Sequence, residues 1–334
     1  MDIKNLEGQL AELVIPTFVF PWAEACSPHA ETIEARMLEW ADKQGLFIND
    51  EQRKRASRGQ FGWLASRCYP NASLELLQVI ADLLMWSFSA DDVLVDRTDT
   101  LTVDTLRNLT AMMDVIDLDA VGEQPVYSEL ALFDACRRLR QLVTDETFYR
   151  FNQGGQSWLI SLAMQILNHM QSKSVDVRQY ETIRRYTNGL DALFALSDVA
   201  NRGLVDSGDF CRPEVRMLCM HAKNIIGWSN DIHSLFVEAR QPGQFWNMVF
   251  IHNIYQEGHS LQESVDYTAT RVNAEISRFV RLSDTLLPDA SPQLQGFIDG
   301  LKYWTRGNQD WVDKNSLRYA ASFATMDADN RDLL

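Results

Sequence analysis

Residues 73–96 read SLELLQVIADLLMWSFSADDVLVD. The apolar side chains of this stretch recur with the spacing of an α-helix and not with the alternation of a strand. They are Leu74, Leu77, Ile80, Ala81, Leu84, Trp86 and Phe88. The stretch therefore predicts one long helix from Ser73 to about Val95, with a group of carboxylates at its C-terminal end.

The same helical spacing continues along the chain on both sides of this stretch. Glycine and proline, which interrupt helices, number only 16 and 9 in 334 residues. Further helices are predicted at residues 101–116, 126–143, 145–171, 176–202, 211–239, 258–283 and 290–314. Because there is neither an internal repeat nor a linker-like stretch, the pattern predicts an all-α bundle that forms a single domain over residues 1–334.

Capping signals place several helix starts. Ser27 followed by a proline predicts a helix that begins there. Asn49 with Gln52 predicts a capping box for the next helix, and Ser260 with Glu263 predicts a second box.

The two ends of the chain differ from this helical pattern. Residues 1–25 contain Pro16 and Pro21 in an apolar context, which predicts an extended N-terminal arm. Residues 320–334 are mostly polar towards the end and are expected to form a mobile tail.

Composition restricts the classes of function. The chain has 31 Lys+Arg and 46 Asp+Glu, a formal charge of −15, and 46% hydrophobic residues, which is globular and not disordered composition. So acidic a chain lacks the clustered cations of a nucleic-acid binder and is disfavoured at anionic membrane surfaces. No run of 18 apolar residues predicts a membrane span.

The five cysteines are scattered, and none forms a C-x-x-C pair. Neither a disulfide framework nor a structural zinc site is predicted. Free thiols fit a reducing cytoplasm, and the charged first 13 residues lack the apolar region of a secretory signal. The expected location is therefore cytoplasmic.

Asp91, Asp92 and Asp96 form the first group of candidate functional residues. They lie at the C-terminal end of the predicted helix, where the helix dipole disfavours anions. Grouped carboxylates of this kind usually bind hard cations such as Mg²⁺. Asp92 and Asp96 share one helix face, and Asp91 lies about 100° around the axis. The alternative is a solvated acidic helix end.

Asn230, Ser234 and Glu238 form the second group. They are spaced by four residues, so their side chains share one helix face with a drift of about 40° per step. An amide oxygen, a hydroxyl and a carboxylate together suit a mixed oxygen site for Mg²⁺. Flanking residues such as Trp228 and Phe236 indicate a buried helix, where an idle polar stripe is costly. The alternative is an ordinary polar helix face.

The third group is cationic and comprises the pairs Arg184–Arg185 and Arg318–Tyr319. Guanidinium groups bind phosphate bidentately. The sequence Asn188–Gly189 predicts a helix break directly after the first pair. The alternative is that these are surface arginines paired with glutamates.

Aromatic residues lie on or near the helices that carry these groups. They are Phe61, Trp63, Trp86, Phe88, Trp304 and Trp311. Rings around a cavity suit an apolar substrate and stabilise a cation by about 0.5–2 kcal/mol per well-placed ring. Packing in the core is the alternative for each of them.

Together these residues resemble a class I terpene synthase of the bacterial type. The resemblance runs from the region of Trp22, through residues 68–72, to Tyr319. Asp91-Asp92-x-x-x-Asp96 is similar to the acidic motif of the family, and Asn230-Asp231-x-x-Ser234-x-x-x-Glu238 is similar to its metal-binding triad. Val237 stands where many members have a lysine, which removes one phosphate contact.

The resemblance also implies a fold and further roles. The implied fold is a class I terpenoid synthase bundle of about ten to twelve helices around an apolar cavity, with cavity aromatics Phe61, Trp63, Phe88, Trp304 and Trp311. Arg184, 46 residues before Asn230, is the implied diphosphate sensor, and Arg185 remains the alternative. Thr187 and Asn188 match the linker and effector positions, and Asn308-x-x-Trp311 with Arg318–Tyr319 matches the closing C-terminal segment.

The implied reaction is the ionisation of a linear prenyl diphosphate and the cyclisation of its cation to a hydrocarbon or an alcohol. Three Mg²⁺ ions are expected, bound by Asp91, by Asp96 as a further candidate, and by the triad. Arg184, Arg318 and Tyr319 are expected to bind the diphosphate, and Asp92 to pair with Arg184 or Arg318 on closure. Farnesyl diphosphate is the favoured substrate, and a homodimer is compatible with the resemblance.

Three alternatives remain. One is a diterpene cyclase that uses geranylgeranyl diphosphate. Another is a prenyl-chain elongase, although such enzymes usually carry two aspartate-rich motifs and this chain has one. The last is a non-catalytic acidic scaffold for a basic partner, which leaves the polar stripe at residues 230–238 unexplained.

Overall fold

In a computed structural model, all regular structure in the described residues is helical; these residues are 8–95, 103–170, 175–240, 246–255 and 259–320. Fourteen α-helices occur among them: α1 Ala30–Lys43, α2 Asp50–Gly59, α3 Phe61–Cys68, α4 Leu74–Leu94, α5 Val103–Leu118, α6 Glu129–Leu142, α7 Asp145–His169, α8 Val177–Thr187, α9 Leu190–Phe194, α10 Ser207–Phe210, α11 Pro213–Glu238, α12 Met248–Tyr255, α13 Leu261–Leu286 and α14 Pro292–Lys314. The all-α prediction is confirmed.

The helix count in the described residues exceeds the expected ten to twelve for local reasons. The segment predicted as one helix over 176–202 is divided, because Gly189 has a positive φ of 67° and separates α8 from the five-residue α9. The four-residue α10 lies between the segments predicted over 176–202 and 211–239, just before α11. Helix α12 lies outside every segment predicted to be helical.

The capping predictions have three different outcomes. Ser260 and Glu263 form the predicted capping box of α13. The Asn49 side chain accepts a hydrogen bond from the Gln52 amide, but the Gln52 side chain accepts from Ile48 instead, so only half of that box is present. The prediction that α1 begins at Ser27 was wrong, because the helix begins at Ala30.

The helices α4 and α11, which carry the acidic motifs, lie inside the bundle. Helix α4 packs against α1, α3 and α6, and α11 packs against α13 and α14. Both helices bury apolar side chains on several faces, as expected for helices surrounded by others. Their polar C-terminal turns are therefore held in fixed positions by buried helix bodies.

Close packing brings α7 against the helix break after α8. Gly154 of α7 lies so near the chain at residue 192 that an added Cβ would approach the Ala192 nitrogen to 2.2 Å. Only glycine allows this approach.

The N-terminal arm lies across the later helices. Residues 13–25 contain no helix. The Val14 amide donates to the Gln262 side chain at 2.9 Å, and the Trp22 indole donates to the Lys302 carbonyl at 2.9 Å. One apolar cluster extends from Leu10 to Trp311, which supports the proposal of a single domain.

The predicted tail lies outside the described residues from position 321 onwards. Among the described residues, no helix is both long and apolar enough to cross a membrane.

Candidate active site

A cavity of about 90 Å³ lies where the C-terminal ends of α4 and α11 meet. Its lining residues are Arg55, Phe88, Asp91, Asp92, Gln165, Arg184, Thr187, Asn230, Ser234, Val237, Glu238, Trp246, Arg318 and Tyr319. Most of them are polar or charged. The structure thus brings the described members of both acidic motifs together with Arg184 and Arg318.

The two helix ends give the cavity a negative potential. The last turns of α4 and α11 contribute carbonyl groups with the negative pole of each helix dipole. The carboxylates of Asp91, Asp92 and Glu238 add formal charge at the same place. Such a site attracts cations, and a bound anion needs cationic partners.

Arg318 and Asp92 form a bidentate ion pair at one side of the cavity. The guanidinium donates to both carboxylate oxygens, at 3.0 and 2.5 Å, and lies 5.0 Å from the centre of the Phe88 ring. Burial alone would raise the pKa of Asp92, but the charge and hydrogen bonds of Arg318, with the charge of Arg55, lower it below its ordinary value. Of the two partners expected for Asp92, the structure has Arg318.

Arg184 is held by the buried carboxylate of Asp231. Its guanidinium lies 2.9 Å from Asp231 Oδ1 and donates to the Asn230 side-chain oxygen at 2.8 Å. Asp231 is fully buried and also accepts from the Tyr180 hydroxyl at 2.5 Å and from the Met248 amide at 3.2 Å. Burial opposes the charge, yet Asp231 raises the pKa of Arg184, so the guanidinium stays positive.

Asp231 is part of the second motif, but its place in the sequence predicted no role for it. Its function as an anchor depends on α8 and on the start of α12, which lie about 50 and 17 residues away along the chain. No spacing pattern within α11 signals these contacts.

The triad residues lie on the cavity side of α11. The Asn230 amide donates to the Tyr319 hydroxyl at 2.6 Å, and Glu238 accepts from the Asn247 side chain at 2.8 Å. Ser234 is 4% exposed, and its hydroxyl has no hydrogen-bond partner within the described ranges. A buried, unpartnered hydroxyl in the lining of an acidic cavity is the arrangement expected of a ligand-binding group.

These residues fit a divalent cation by their chemistry. Asp91 and Glu238 offer carboxylates, and Asn230 and Ser234 offer neutral oxygens, which is a donor set for hard cations. No three His, Cys, Asp or Glu side chains form a metal-binding cluster in the part of the chain that is described. The triad contributes one carboxylate, and Asp96 lies outside the described residues.

The predicted helix break is present beside the cavity. Helix α8 ends at Thr187, whose carbonyl accepts from the Trp158 indole at 3.1 Å and whose buried hydroxyl has no partner among the described residues. Thr187 lines the cavity. The Asn188 side chain instead accepts from the Leu190 amide at 3.1 Å and donates to the Lys223 carbonyl. Only the backbone of Asn188 therefore remains for the predicted effector role.

The alternative sensor, Arg185, is not among the lining residues. Its guanidinium donates to Thr182 of the same helix at 3.3 Å. Position therefore favours Arg184 over Arg185.

The five predicted cavity aromatics occupy different places. Phe88 lines the cavity, and Phe61 stacks on it with ring centres 4.2 Å apart. Trp311 lies behind both rings, about 6 Å from each. Trp304 is buried against Tyr69 and Phe194, and Trp63 is partly buried against the core; neither is a lining residue of this cavity.

Three lining residues carried no motif and were missed. Arg55 comes from α2, Gln165 from α7, and Trp246 from the segment before α12. Gln165 is 5% exposed. In the sequence, Gln165 is marked only by its four-residue spacing from Ser161, which places two polar side chains on one helix face. This pattern is too common to indicate a functional site.

Comparison with known proteins agrees with this geometry. The family model "Terpene synthase family 2, C-terminal metal binding" matches residues 82–278. A sesquiterpene synthase of Metarhizium brunneum is 54% identical over 333 residues, which are 100% of this chain and 97% of that protein. A (+)-corvol ether B/(+)-corvol ether A synthase of Kitasatospora setae is described as farnesyl diphosphate cyclizing. It is 47% identical over 317 residues, which are 95% of this chain and 98% of that protein.

Solved structures show the same fold. A linalool/nerolidol synthase from Streptomyces clavuligerus superposes with a TM-score of 0.77 at 21% identity, covering 89% of this chain and 100% of that one. The fold and the acidic, arginine-lined cavity define a helical enzyme of the class I type. The chain belongs to the terpene synthase family, and the predicted resemblance is confirmed.

Proposed function

We propose that this enzyme ionises farnesyl diphosphate and cyclises the resulting cation, releasing diphosphate and a sesquiterpene hydrocarbon or alcohol. The observation that carries the proposal is the cavity in which Asp91 of α4 faces the Asn230, Ser234 and Glu238 stripe of α11. Oxygen ligands on two helix ends, with arginines beside them, suit a metal-bound polyanion.

The relatives support the choice of a fifteen-carbon substrate. The 54% identical protein of Metarhizium brunneum is named a sesquiterpene synthase, and the 47% identical protein of Kitasatospora setae is named for farnesyl diphosphate. Both match nearly the whole chain. A sesquiterpene product is therefore preferred over a diterpene product.

Three Mg²⁺ ions are proposed for the site, held by Asp91 with Asp96 as a further candidate, and by Asn230, Ser234 and Glu238. When bound, such ions supply Lewis-acid stabilisation of the negative charge on the departing diphosphate. The unpartnered Ser234 hydroxyl and the mixed oxygen donors support this assignment.

The cationic side chains have a separate task. Arg184 and Arg318 donate hydrogen bonds to diphosphate oxygens, and these donors are most effective in a site from which water is excluded. Tyr319 accepts from Asn230, so its own hydroxyl proton remains to donate to the anion. Burial raises the pKa of Tyr319, which keeps this proton in place at neutral pH.

The Asp92–Arg318 pair holds the C-terminal segment against the end of α4. This contact keeps water out of the cavity, because water would quench the substrate's carbocation. The cavity of about 90 Å³ is smaller than the roughly 300–1,000 Å³ of ligand pockets. A prenyl chain therefore enters only after the side chains around the cavity move.

The test is a comparison of geranyl, farnesyl and geranylgeranyl diphosphates with the full-length protein, with Mg²⁺ and with EDTA. Mass-spectrometric analysis should find a cyclic fifteen-carbon product and diphosphate release that EDTA abolishes. A cyclic product from the twenty-carbon substrate alone would favour the diterpene alternative. Chain elongation on addition of isopentenyl diphosphate would favour an elongase, and no diphosphate release from any substrate would favour the scaffold.

A homodimer and a cytoplasmic location stay predictions. Sedimentation analysis of the purified protein tests the first, and fractionation of the source cells tests the second.

A further inference from the structure

Helix α2 contributes one cation to the cavity. Its sequence contains four cationic residues, Arg53, Lys54, Arg55 and Arg58, and among them Arg55 lines the cavity. Arg53 instead pairs with Asp42 and lies over the Phe47 ring. In a chain with a net charge of −15, an arginine directed to an acidic cavity is a local exception.

The position of Arg55 is fixed by contacts between α2 and the C-terminal segment. The Leu317 amide donates to the Arg58 carbonyl at 2.9 Å, and the Trp311 indole donates to the carbonyls of Gly59 and Gln60, both at 2.9 Å. Leu317 directly precedes Arg318. Helix α2 and the segment that carries Arg318 therefore form one wall of the cavity, with Arg55 and Arg318 on it.

Asp92 lies within the influence of both arginines. Arg318 makes two hydrogen bonds to it, and Arg55 lines the same cavity as this ion pair. Arg184, which also lines the cavity, is held by Asp231 of α11. A polyanion in the cavity would thus meet guanidinium groups from α2, α8 and the C-terminal segment.

Helix α11 supplies no positive charge to the cavity lining. Val237 lines the cavity and is apolar, so the cavity-facing residues of α11 are neutral or acidic. The cations come from α2, α8 and the C-terminal segment.

We propose that Arg55 binds the diphosphate group of the substrate, forming with Arg318 a two-arginine clamp that acts together with Arg184. This inference rests on the proposed function, because the bound anion is the diphosphate of a prenyl diphosphate. Arginine suits this task because its planar fork presents two parallel N–H donors to phosphate oxygens. Arg55 belongs to no sequence motif, so the assignment depends on the fold alone.

The test measures Mg²⁺-dependent binding of inorganic diphosphate to the full-length protein by calorimetry. Arg55→Met is compared with Lys54→Met, which removes an exposed charge from the same helix. We expect Arg55→Met to weaken binding at least tenfold and to raise the KM for farnesyl diphosphate, while Lys54→Met stays within twofold of the wild type. Equal dissociation constants for the two variants would overturn the proposal.

A second variant guards against misfolding. Arg55→Lys keeps the charge and the aliphatic stem but loses the fork, so we expect binding about three- to tenfold weaker than in the wild type. If Arg55→Met does not fold by circular dichroism, unchanged binding in Arg55→Lys overturns the proposal.

The outcome separates this inference from the proposed function. Turnover of farnesyl diphosphate by the wild type with unchanged diphosphate binding in Arg55→Met refutes the role of Arg55 alone. Diphosphate binding that depends on Arg55, without turnover of any prenyl diphosphate, supports the role of Arg55 and refutes the cyclase. A wild type that binds no diphosphate refutes both.

Discussion

The guanidinium of Arg318 holds both carboxylate oxygens of Asp92, at 3.0 and 2.5 Å, although 226 residues separate them along the chain. The pair joins the C-terminal segment to the last turn of α4. Arg318 is only 12% exposed there, so the ion pair is largely shielded from solvent. The acidic motif and the C-terminal segment therefore act as one unit at the cavity.

Arg318→Met is expected to lower the kcat for diphosphate release about 10²–10³-fold, the usual effect of removing one donor to a developing anion. Asp92→Asn should also lower kcat, and the double variant should lose less than the product of the two single losses, because the residues share one contact. Steady-state kinetics measures all three. Lys314→Met, which breaks ion pairs with Glu24 and Asp310 away from the cavity, is the control. Strictly multiplicative losses would refute the coupling.

Ser234→Ala is expected to separate stability from metal dependence. The hydroxyl is buried without a partner in the described structure, so its removal should leave the free energy of unfolding unchanged or raise it by about 1 kcal/mol. The Mg²⁺ concentration for half-maximal diphosphate release should rise at least tenfold. Urea unfolding and Mg²⁺ titration are the measurements.

Ser229→Ala is the matched control on the same helix. The Ser229 hydroxyl donates to the Ile226 carbonyl and is not a lining residue. This variant should keep the Mg²⁺ dependence of the wild type. A Ser234→Ala enzyme with wild-type Mg²⁺ dependence would remove Ser234 from the proposed ligand set.

Arg184→Ala is expected to abolish diphosphate release and to destabilise the fold by about 3–5 kcal/mol, because it leaves the carboxylate of Asp231 buried without its cation. Arg185→Ala should change neither property, since Arg185 does not line the cavity and donates to Thr182 of its own helix. Activity and denaturant unfolding distinguish the two variants. Wild-type activity in Arg184→Ala would make the sensor assignment wrong.

Glu34 is expected to make stability depend on pH. It is 6% exposed and accepts a hydrogen bond from the Gly62 amide at 2.7 Å, and burial raises its pKa from 4.5 to about 7. Between these values the folded state retains a proton that the unfolded state has lost. Stability should therefore fall as pH rises from about 4.5 to 7, by about 3 kcal/mol in total.

Glu34→Gln removes this titration and keeps an oxygen for Gly62. We expect the variant to gain about 3 kcal/mol over the wild type between pH 4.5 and 8, as measured by urea unfolding at several pH values. Glu31→Gln, which changes an exposed carboxylate of the same helix, is the control and should match the wild type. Parallel pH profiles for Glu34→Gln and the wild type would contradict the expectation.

Helix-scale features were predictable because they depend on neighbours in the sequence. The apolar spacing of residues 74–88 and the four-residue spacing of Asn230, Ser234 and Glu238 are properties of single helices, and both are present in α4 and α11. Short helices were harder to predict. Helix α12 has only eight residues, and its first amide is directed to Asp231, a contact that no local pattern reveals.

The helical class, the two acidic motifs and the candidate cations Arg184 and Arg318 could be predicted from the order of residues, because side-chain spacing along a helix is fixed by 3.6 residues per turn. The partners of these groups became clear from the folded chain. It paired Asp92 with Arg318, placed Arg184 on Asp231, and brought Arg55 into the cavity. The physical reason is that these contacts join helices far apart in the chain, and the packing of buried helix bodies, not local spacing, sets their distances.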